Sequence, residues 1–238
     1  MTFILCSYLK LYIRDEQGEK IPVALEDENQ IFTNIKKYTK NKNRFVLVSN
    51  NPDNYEDNDK RFNIFCEGLK KSELLFKESV LLDGRNKNNA REILEKADLM
   101  ILCGGKCLCQ NKFFKEIKMK EILEESEALI IGISAGTMNL CENVYNFPEE
   151  NMDLKERRWI KGLGFCKDIV VPHFNGEDIT YQIPCEEIDV VNDYILPTSM
   201  KKDLVGLPND SYILINEEGM KLFGNVYKIS KGKCEKID

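Results

Sequence analysis

The sequence predicts an α/β protein in which a mostly parallel β-sheet lies between two layers of helices. Short apolar runs alternate with amphipathic stretches through much of the chain, an order typical of repeated strand–helix–strand units. The 238 residues are 42% apolar and 31% charged, a composition that can fill a hydrophobic core. Because no Gly-, Pro- or Ser-rich linker divides the chain, we predict one domain over residues 1–238.

The first half of the chain alternates predicted strands and helices. The apolar run at 45–49 is nearly continuous, as expected for a strand that is covered on both faces. The Asn and Asp residues around Pro52 favour a loop. The elements expected here are a strand at 3–8, a helix at 29–40, a strand at 45–49, a loop at 50–60, a helix at 62–69 that continues to Leu74 and Leu75, and a strand at 80–82.

The second half continues this alternation and then becomes rich in strands. The spacing of the apolar residues between Phe113 and Ile122 predicts one helix over 113–123. Residues 216–219, Asn-Glu-Glu-Gly, predict the turn of a C-terminal β-hairpin. The remaining elements expected are a helix at 90–97, strands at 99–103 and 128–131, strand-like segments at 168–172 and 204–215, a strand at 221–223 and a last short strand at 226–229.

Charge and hydropathy exclude several classes of protein. Lys and Arg number 34 against 40 Asp and Glu, which gives a net charge of −6, whereas a nucleic-acid-binding protein needs a basic face. No stretch approaches the ~18 apolar residues of a membrane span. Lys10 interrupts the apolar start too early for a signal peptide. We therefore expect a cytoplasmic protein with neither nucleic acid nor membrane as a partner.

Nine cysteines and a single histidine supply a metal site poorly. The odd number of cysteines without an export signal favours reduced thiols. Cys103, Cys107 and Cys109 lie close together but lack a second pair of soft ligands, so we expect no metal and no cofactor. Cys6 and Cys103 end apolar runs and are interpreted as small buried hydrophobic residues.

A Gly-Ile-Ser-Ala-Gly segment at 132–136 directly follows the predicted strand at 128–131. This G-x-S-x-G pattern is typical of a sharp strand-to-helix turn that exposes a nucleophilic serine, here Ser134. The N–H of Ala135 would then face the developing oxyanion. The alternative is a glycine-rich turn in which the serine merely caps the helix.

His173 is the only histidine in the chain, and a nucleophilic serine needs a base within hydrogen-bond reach. It follows an apolar run at 169–172, where α/β sites collect. A histidine base predicts a rate that rises with pH through about 6.5 to 7. Gly104 and Gly105 follow the strand at 99–103 and offer a second oxyanion donor, or form an ordinary strand–helix turn.

Taken together, these segments resemble peptidase family S51, which includes dipeptidase E and cyanophycinase. The resemblance spans nearly the whole chain in order, and is carried by 3–8, Leu102-Cys-Gly-Gly105, the 132–136 motif, Lys161-Gly-Leu-Gly-Phe165, Val171-Pro-His-Phe174 and Gly206-Leu-Pro-Asn-Asp-Ser-Tyr212, with Gly224 in the following turn. It implies a flavodoxin-like three-layer fold, related to class I glutamine amidotransferases, and a Ser-His-acid hydrolytic site.

The resemblance also implies residue roles. Ser134 matches the nucleophile, His173 the base and Asn209 the position where the family has an acidic residue. An amide can still orient an imidazole, although it stabilises imidazolium less than a carboxylate does. The alternative acids are Asp210, Glu149 and Glu150.

The resemblance implies a small peptide substrate, and the oligomeric state is left open, with a homodimer as one option. Residues 175–204 contain no arginine, unlike dipeptidase E, which argues against aspartyl specificity. This segment is expected to line the pocket, and its carboxylates would suit a cationic group; they are Glu177, Asp178, Glu186 and Glu187.

Three other functions are weighed against a serine peptidase. A glutamine amidotransferase needs a thiolate where this chain has Ser134. An α/β-hydrolase has its acid between the serine and a late histidine, which does not match the position of His173. A non-catalytic binding protein of the same fold remains the alternative from another class, supported by Asn209 and by Lys106 after the glycine pair.

Overall fold

The computed structural model describes residues 1–148, 158–179 and 189–237. Its strands are β1 (Thr2–Cys6), β2 (Tyr12–Arg14), β3 (Lys20–Pro22), β4 (Arg44–Val48), β5 (Glu78–Leu82), β6 (Leu99–Leu102), β7 (Leu129–Ile133), β8 (Asn143–Tyr145), β9 (Trp159–Lys161), β10 (Val170–Pro172), β11 (Leu204–Leu207), β12 (Tyr212–Asn216), β13 (Gly219–Phe223), β14 (Val226–Ser230) and β15 (Lys233–Ile237). Its α-helices are α1 (Ile31–Tyr38), α2 (Tyr55–Lys71), α3 (Ala90–Glu95), α4 (Cys107–Glu116), α5 (Met119–Glu124), α6 (Ala135–Leu140) and α7 (Leu196–Ser199). Single 3-10 turns lie at Glu28–Gln30 and Lys87–Asn89, and a π-helical segment covers Val190–Ile195.

A seven-stranded sheet forms the centre of the molecule, in the order β13-β12-β1-β7-β6-β4-β5. The five strands from β1 to β5 in this order are parallel, and the β12–β13 hairpin joins β1 antiparallel at one edge. The mostly parallel sheet and the C-terminal hairpin predicted from the sequence are therefore confirmed. All five parallel strands end at the same edge, where α/β proteins place their sites.

Alternate residues of each central strand enter two separate cores. In β1, Phe3 and Leu5 pack with helices α3 to α6, whereas Ile4 and Cys6 pack with α1 and α2 on the other face. This alternation follows from the two-residue period of a strand, and it explains why the strands are apolar throughout. The result is three layers, with helices on both faces of the sheet.

A second, smaller sheet has the strand order β10-β11-β14-β15. Strands β10 and β11 run parallel, with Pro172 opposite Leu207, and the other pairs are antiparallel. Two short antiparallel pairs, β2–β3 and β8–β9, complete the described strands. Within the described residues, no helix is long and apolar enough to cross a membrane.

The loop predicted over 50–60 is wrong in its second half, because α2 begins at Tyr55. Asp57, one of the Asn and Asp residues in the predicted loop, lies with Glu56 in the first turn of α2, where the helix dipole favours negative charge. The same helix ends at Lys71, so Leu74 and Leu75 lie beyond it.

The single helix predicted over 113–123 is also wrong. Two helices, α4 and α5, meet at Lys118, whose φ of 54° is left-handed. The apolar spacing continues across the break because both helices face one core, which includes Phe113 and Ile122. At the C-terminus a turn divides the strand-like segment 204–215 into β11 and β12, and β15 follows the strand predicted to be the last.

Candidate active site

The G-x-S-x-G segment forms the strand–helix turn that its sequence predicts. Ser134 joins β7 to α6 with φ 51° and ψ −108°, a conformation that L-residues rarely adopt. Both flanking glycines are sterically required: a methyl group on Gly136 would lie 2.3 Å from the Leu102 carbonyl oxygen, and one on Gly132 would lie 2.8 Å from the Thr137 nitrogen. The turn is therefore close-packed and sets the position of Ser134.

Two backbone hydrogen bonds hold this turn. The N–H of Ser134 donates to the Cys6 carbonyl at 2.9 Å, and the N–H of Met138 donates to the Ser134 carbonyl at 2.9 Å. The Ser134 side chain makes neither of these bonds. Its hydroxyl is thus available to a neighbour from another part of the chain.

That neighbour is His173, which the second sheet brings to the turn together with Asn209. Because β10 and β11 are parallel and paired at Pro172 and Leu207, His173 and Asn209 follow adjacent strand ends. The His173 Nε2 lies 2.9 Å from the Ser134 Oγ, and its Nδ1 lies 2.6 Å from the Asn209 Oδ1. An amide oxygen only accepts, so Nδ1 carries the proton and Nε2 accepts from the serine hydroxyl.

His173 is 8% exposed and has a left-handed backbone with φ 64°. Its N–H donates to the Ser7 Oγ at 2.9 Å, and the Ser7 hydroxyl donates in turn to the Leu207 carbonyl. The sequence motifs did not identify Ser7 as a functional residue. The available signal was its position directly after an apolar strand of the parallel sheet, at the edge where sites collect.

Burial lowers the pKa of His173 to about 4, although the hydrogen bond that its Nδ1–H donates to Asn209 opposes the shift. Taking the imidazole out of water disfavours its charged form, and Asn209 supplies no negative charge to offset this. The pH transition expected from the sequence at about 6.5 to 7 is therefore wrong for the free protein. The imidazole is neutral, and able to accept a proton, throughout the neutral range.

Next to Ser134, the backbone N–H groups of Ala135 and Gly105 donate to no acceptor among the described residues. Ala135 is the first residue of α6, so its N–H has no acceptor within the helix. Gly104 packs on the serine, since a methyl group there would lie 3.1 Å from the Ser134 Cβ. The next residue, Gly105, has φ 134° and its N–H bonds to no acceptor in the described part of the chain. The three residues predicted as oxyanion donors are thus gathered at one place.

A cavity of about 360 Å³ opens beside Ser134 and His173. Its lining combines aromatic, aliphatic and cationic side chains with the glycine pair: Ser7, Tyr8, Leu9, Tyr12, Arg14, Lys20, Arg61, Ile64, Phe65, Gly104, Gly105 and Ile133. Arg14 and Lys20 come from the β2–β3 hairpin, which the sequence did not predict. Burial, followed by the charge of Arg61, lowers the pKa of Lys20.

Four carboxylates of the segment 175–204 are expected from the sequence to face the pocket; for the two of them that the structure describes, this expectation is wrong. Glu177 and Asp178 are exposed and absent from the lining, and Glu186 and Glu187 lie outside the described residues. Among the described residues, the charged groups that line the cavity are cationic.

Of the three alternative acids, Asp210 lies in the described part of the chain. The Asp210 carboxylate accepts from the Ser211 hydroxyl at 3.1 Å, while Asn209 contacts the imidazole. Glu149 and Glu150 lie outside the described residues.

Cys6 and Cys103 are buried as predicted, and burial raises the pKa of their thiols to about 12 and about 11. Among the described residues, no three His, Cys, Asp or Glu side chains cluster as metal ligands.

The site thus combines an α/β fold with a serine on a strand–helix turn that is hydrogen-bonded to a histidine, an arrangement typical of serine hydrolases. Within that class, the sequence profile of Peptidase family S51 matches residues 23–223. The chain therefore belongs to peptidase family S51, a family of serine-type peptidases.

Two similar solved structures share the fold of this chain. One is a peptidase from an acI-B1 Actinobacterium, with a TM-score of 0.67 and 14% identity over 99% of this chain and 93% of that one. Another is a protein assigned as peptidase E from Listeria monocytogenes EGD-e, with a TM-score of 0.60 and 15% identity over 93% and 96% of the two chains. No curated protein sequence matches this chain significantly.

Proposed function

We propose that this protein is a serine peptidase that cleaves a small, dipeptide-like substrate through an acyl-enzyme, with Ser134 as nucleophile and His173 as base. The observation that carries the proposal is the line of hydrogen bonds from the Ser134 Oγ through His173 to Asn209, at 2.9 and 2.6 Å. This geometry meets the two requirements of a serine nucleophile, a base in reach and a group that orients the base.

In the proposed reaction, the Ser134 Oγ attacks the carbonyl carbon of the scissile bond while its proton passes to the His173 Nε2. The negative charge on the carbonyl oxygen is stabilised by the N–H groups of Ala135 and Gly105. His173 then gives the proton to the leaving amine as the C–N bond breaks. Water repeats the cycle on the acyl ester, and the carboxylic acid product leaves with Ser134 regenerated.

The cavity supports a small substrate that carries a carboxylate. A volume of about 360 Å³ lies at the lower end of the range usual for ligand pockets, roughly 300 to 1,000 Å³. Lys20 is half-buried and its pKa is lowered by desolvation and by Arg61, so an anion bound there would relieve both effects. We therefore propose an acidic dipeptide-like substrate that is bound by the hairpin cations Arg14 and Lys20.

A panel of dipeptides, with acidic, neutral and basic residues at either position, tests this function. We expect hydrolysis to be fastest for an acidic member, and Ser134→Ala to lower kcat by roughly 10³-fold or more without unfolding the protein. His173→Gln should lower it comparably. Binding of acidic dipeptides without turnover by the native protein would instead support a ligand-binding member of the fold. The neutral Asn209, at the position where the family has an acidic residue, favours that alternative.

A further inference from the structure

Arg61 reaches the glycine pair from a different element of the fold. It lies in the second turn of α2, and its Nη1 donates to the Gly104 carbonyl oxygen at 3.2 Å. Its Nη2 donates to the Asp57 carboxylate at 3.0 Å, one helical turn earlier. The side chain is 22% exposed, and its Nε is buried without a partner in the described part of the chain. The guanidinium is thus largely buried, and in the described part of the chain it donates to the Gly104 carbonyl and to the Asp57 carboxylate.

That carbonyl belongs to the same peptide unit as the Gly105 N–H. The described residues contain no cis peptide bond, so the C=O of Gly104 and the N–H of Gly105 point in opposite directions across a rigid plane. Fixing one therefore fixes the other. Gly105 itself is closely packed, since a methyl group on it would lie 2.0 Å from the Asn50 Nδ2.

We propose that Arg61 is a positioning residue for the oxyanion site: it holds the Gly104 carbonyl so that the Gly105 N–H is aimed at the substrate oxygen beside Ser134. This inference rests on the proposed function and adds a residue to it. A glycine with φ 134° has little conformational preference of its own, so an external contact is needed to hold its N–H in one direction. Preorganised donors of this kind accelerate reactions because they need not reorient as charge develops.

The test must separate this role from binding of an acidic substrate, because Arg61 also lines the cavity. Two neutral probes do so. Diisopropyl fluorophosphate forms a bond from the Ser134 Oγ to phosphorus as fluoride leaves, and p-nitrophenyl acetate acylates the same oxygen as p-nitrophenolate leaves. Neither carries a charge for Arg61 to bind, while both develop negative charge on an oxygen in the transition state.

With these probes at pH 8, Arg61→Met should slow phosphorylation and lower kcat for the ester by about 10- to 100-fold, with little change in KM, as for a misaimed oxyanion donor. Arg61→Lys keeps one donor and should recover part of the rate. The matched control is Lys60→Met, which removes the neighbouring cation and its exposed pair with Glu56 on the same helix, and should leave both rates unchanged.

Asp57→Asn provides a second variant if Arg61→Met fails to fold, and should slow both reactions by a smaller factor, because the guanidinium loses its carboxylate partner. Native rates in folded Arg61→Met would overturn the positioning role, as would a change in KM alone. A native protein that neither probe modifies would overturn the proposed function itself, and with it this inference. The two failures are therefore distinguishable.

Discussion

Hydrogen bonds to its backbone and to both ring nitrogens hold His173 in place. Ser7 binds its backbone, Asn209 binds Nδ1 and Ser134 binds Nε2. Asn209 is the unusual member, because an amide fixes the tautomer without supplying negative charge to the imidazolium that forms during catalysis. Burial without a countercharge explains the pKa of about 4 for His173.

Replacing Asn209 by Asp places a carboxylate of the same length against Nδ1. We expect kcat to increase by about 10-fold, if about 1.4 kcal/mol of imidazolium stabilisation is gained. The pKa that governs kcat/KM should move upward from about 4. The pH–rate profiles of the two proteins provide the measurement; an unchanged profile would mean that Asn209 does not contact the working imidazole.

Ser7→Ala removes the acceptor of the His173 N–H, which holds a left-handed backbone. We expect a loss of stability of about 1 to 3 kcal/mol, as for a buried donor left unpaired, together with a fall in kcat. Ser199→Ala is the matched control, because Ser199 is also buried, accepts from the Gly232 N–H and donates to the Leu196 carbonyl. The control should lose stability without losing kcat, and equal kcat losses would contradict the role of Ser7.

Among the elements, the β2–β3 hairpin matters most for specificity. It brings Arg14 and Lys20 over the cavity beside Ser134. Its strands have three residues each, too short to stand out as apolar alternation in the sequence. The β2–β3 hairpin, which carries these cations, is therefore the element that the sequence pattern indicates least clearly.

Lys20→Gln should raise KM for acidic dipeptides by about 10-fold and leave kcat nearly unchanged, as for the loss of one hydrogen bond to a charged group. Neutral dipeptides should show little change. Lys10→Gln is the control, since Lys10 is exposed, pairs with Glu26 and lies outside the cavity lining. An equal KM effect on dipeptides with neutral and acidic side chains would show that Lys20 does not bind the side-chain carboxylate.

The parallel core and the serine turn were predictable because each is encoded locally. Continuous apolar runs mark buried strands, and the glycines of residues 132–136 mark a close-packed turn. The partners of His173 were harder to predict, because they depend on the pairing of β10 with β11 in a second sheet. That pairing joins segments more than 30 residues apart, and Asn209 was identified by family resemblance alone. The roles of Ser7 and Arg61 could not be predicted from the sequence, since a buried serine and a partly buried arginine have no distinctive local sequence pattern.

For the molecule as a whole, His173 links stability to pH. Its pKa is about 4 when folded and about 6.5 when unfolded, so the unfolded chain binds the proton more readily between these values. The free energy of unfolding therefore falls as pH decreases from 6.5 towards 4.

At pH 5 this difference in pKa lowers the free energy of unfolding by about 2 kcal/mol relative to a protein without this group. His173→Gln removes the only histidine, so it should lose about that much less stability than the native protein between pH 7 and pH 5. Urea denaturation of both proteins at the two pH values measures the difference. Equal losses of stability in the native protein and in His173→Gln would mean that the imidazole is not buried as a neutral group.

The central claim, that Ser134 is a nucleophile activated by His173, is tested most directly by covalent labelling with a fluorophosphonate followed by mass spectrometry. We expect one adduct per chain, located on the peptide that contains Ser134, and no adduct on Ser134→Ala or on denatured protein. Labelling should slow by roughly 10³-fold in His173→Gln. A native protein that stays unmodified, or an adduct that persists in Ser134→Ala, would contradict the claim.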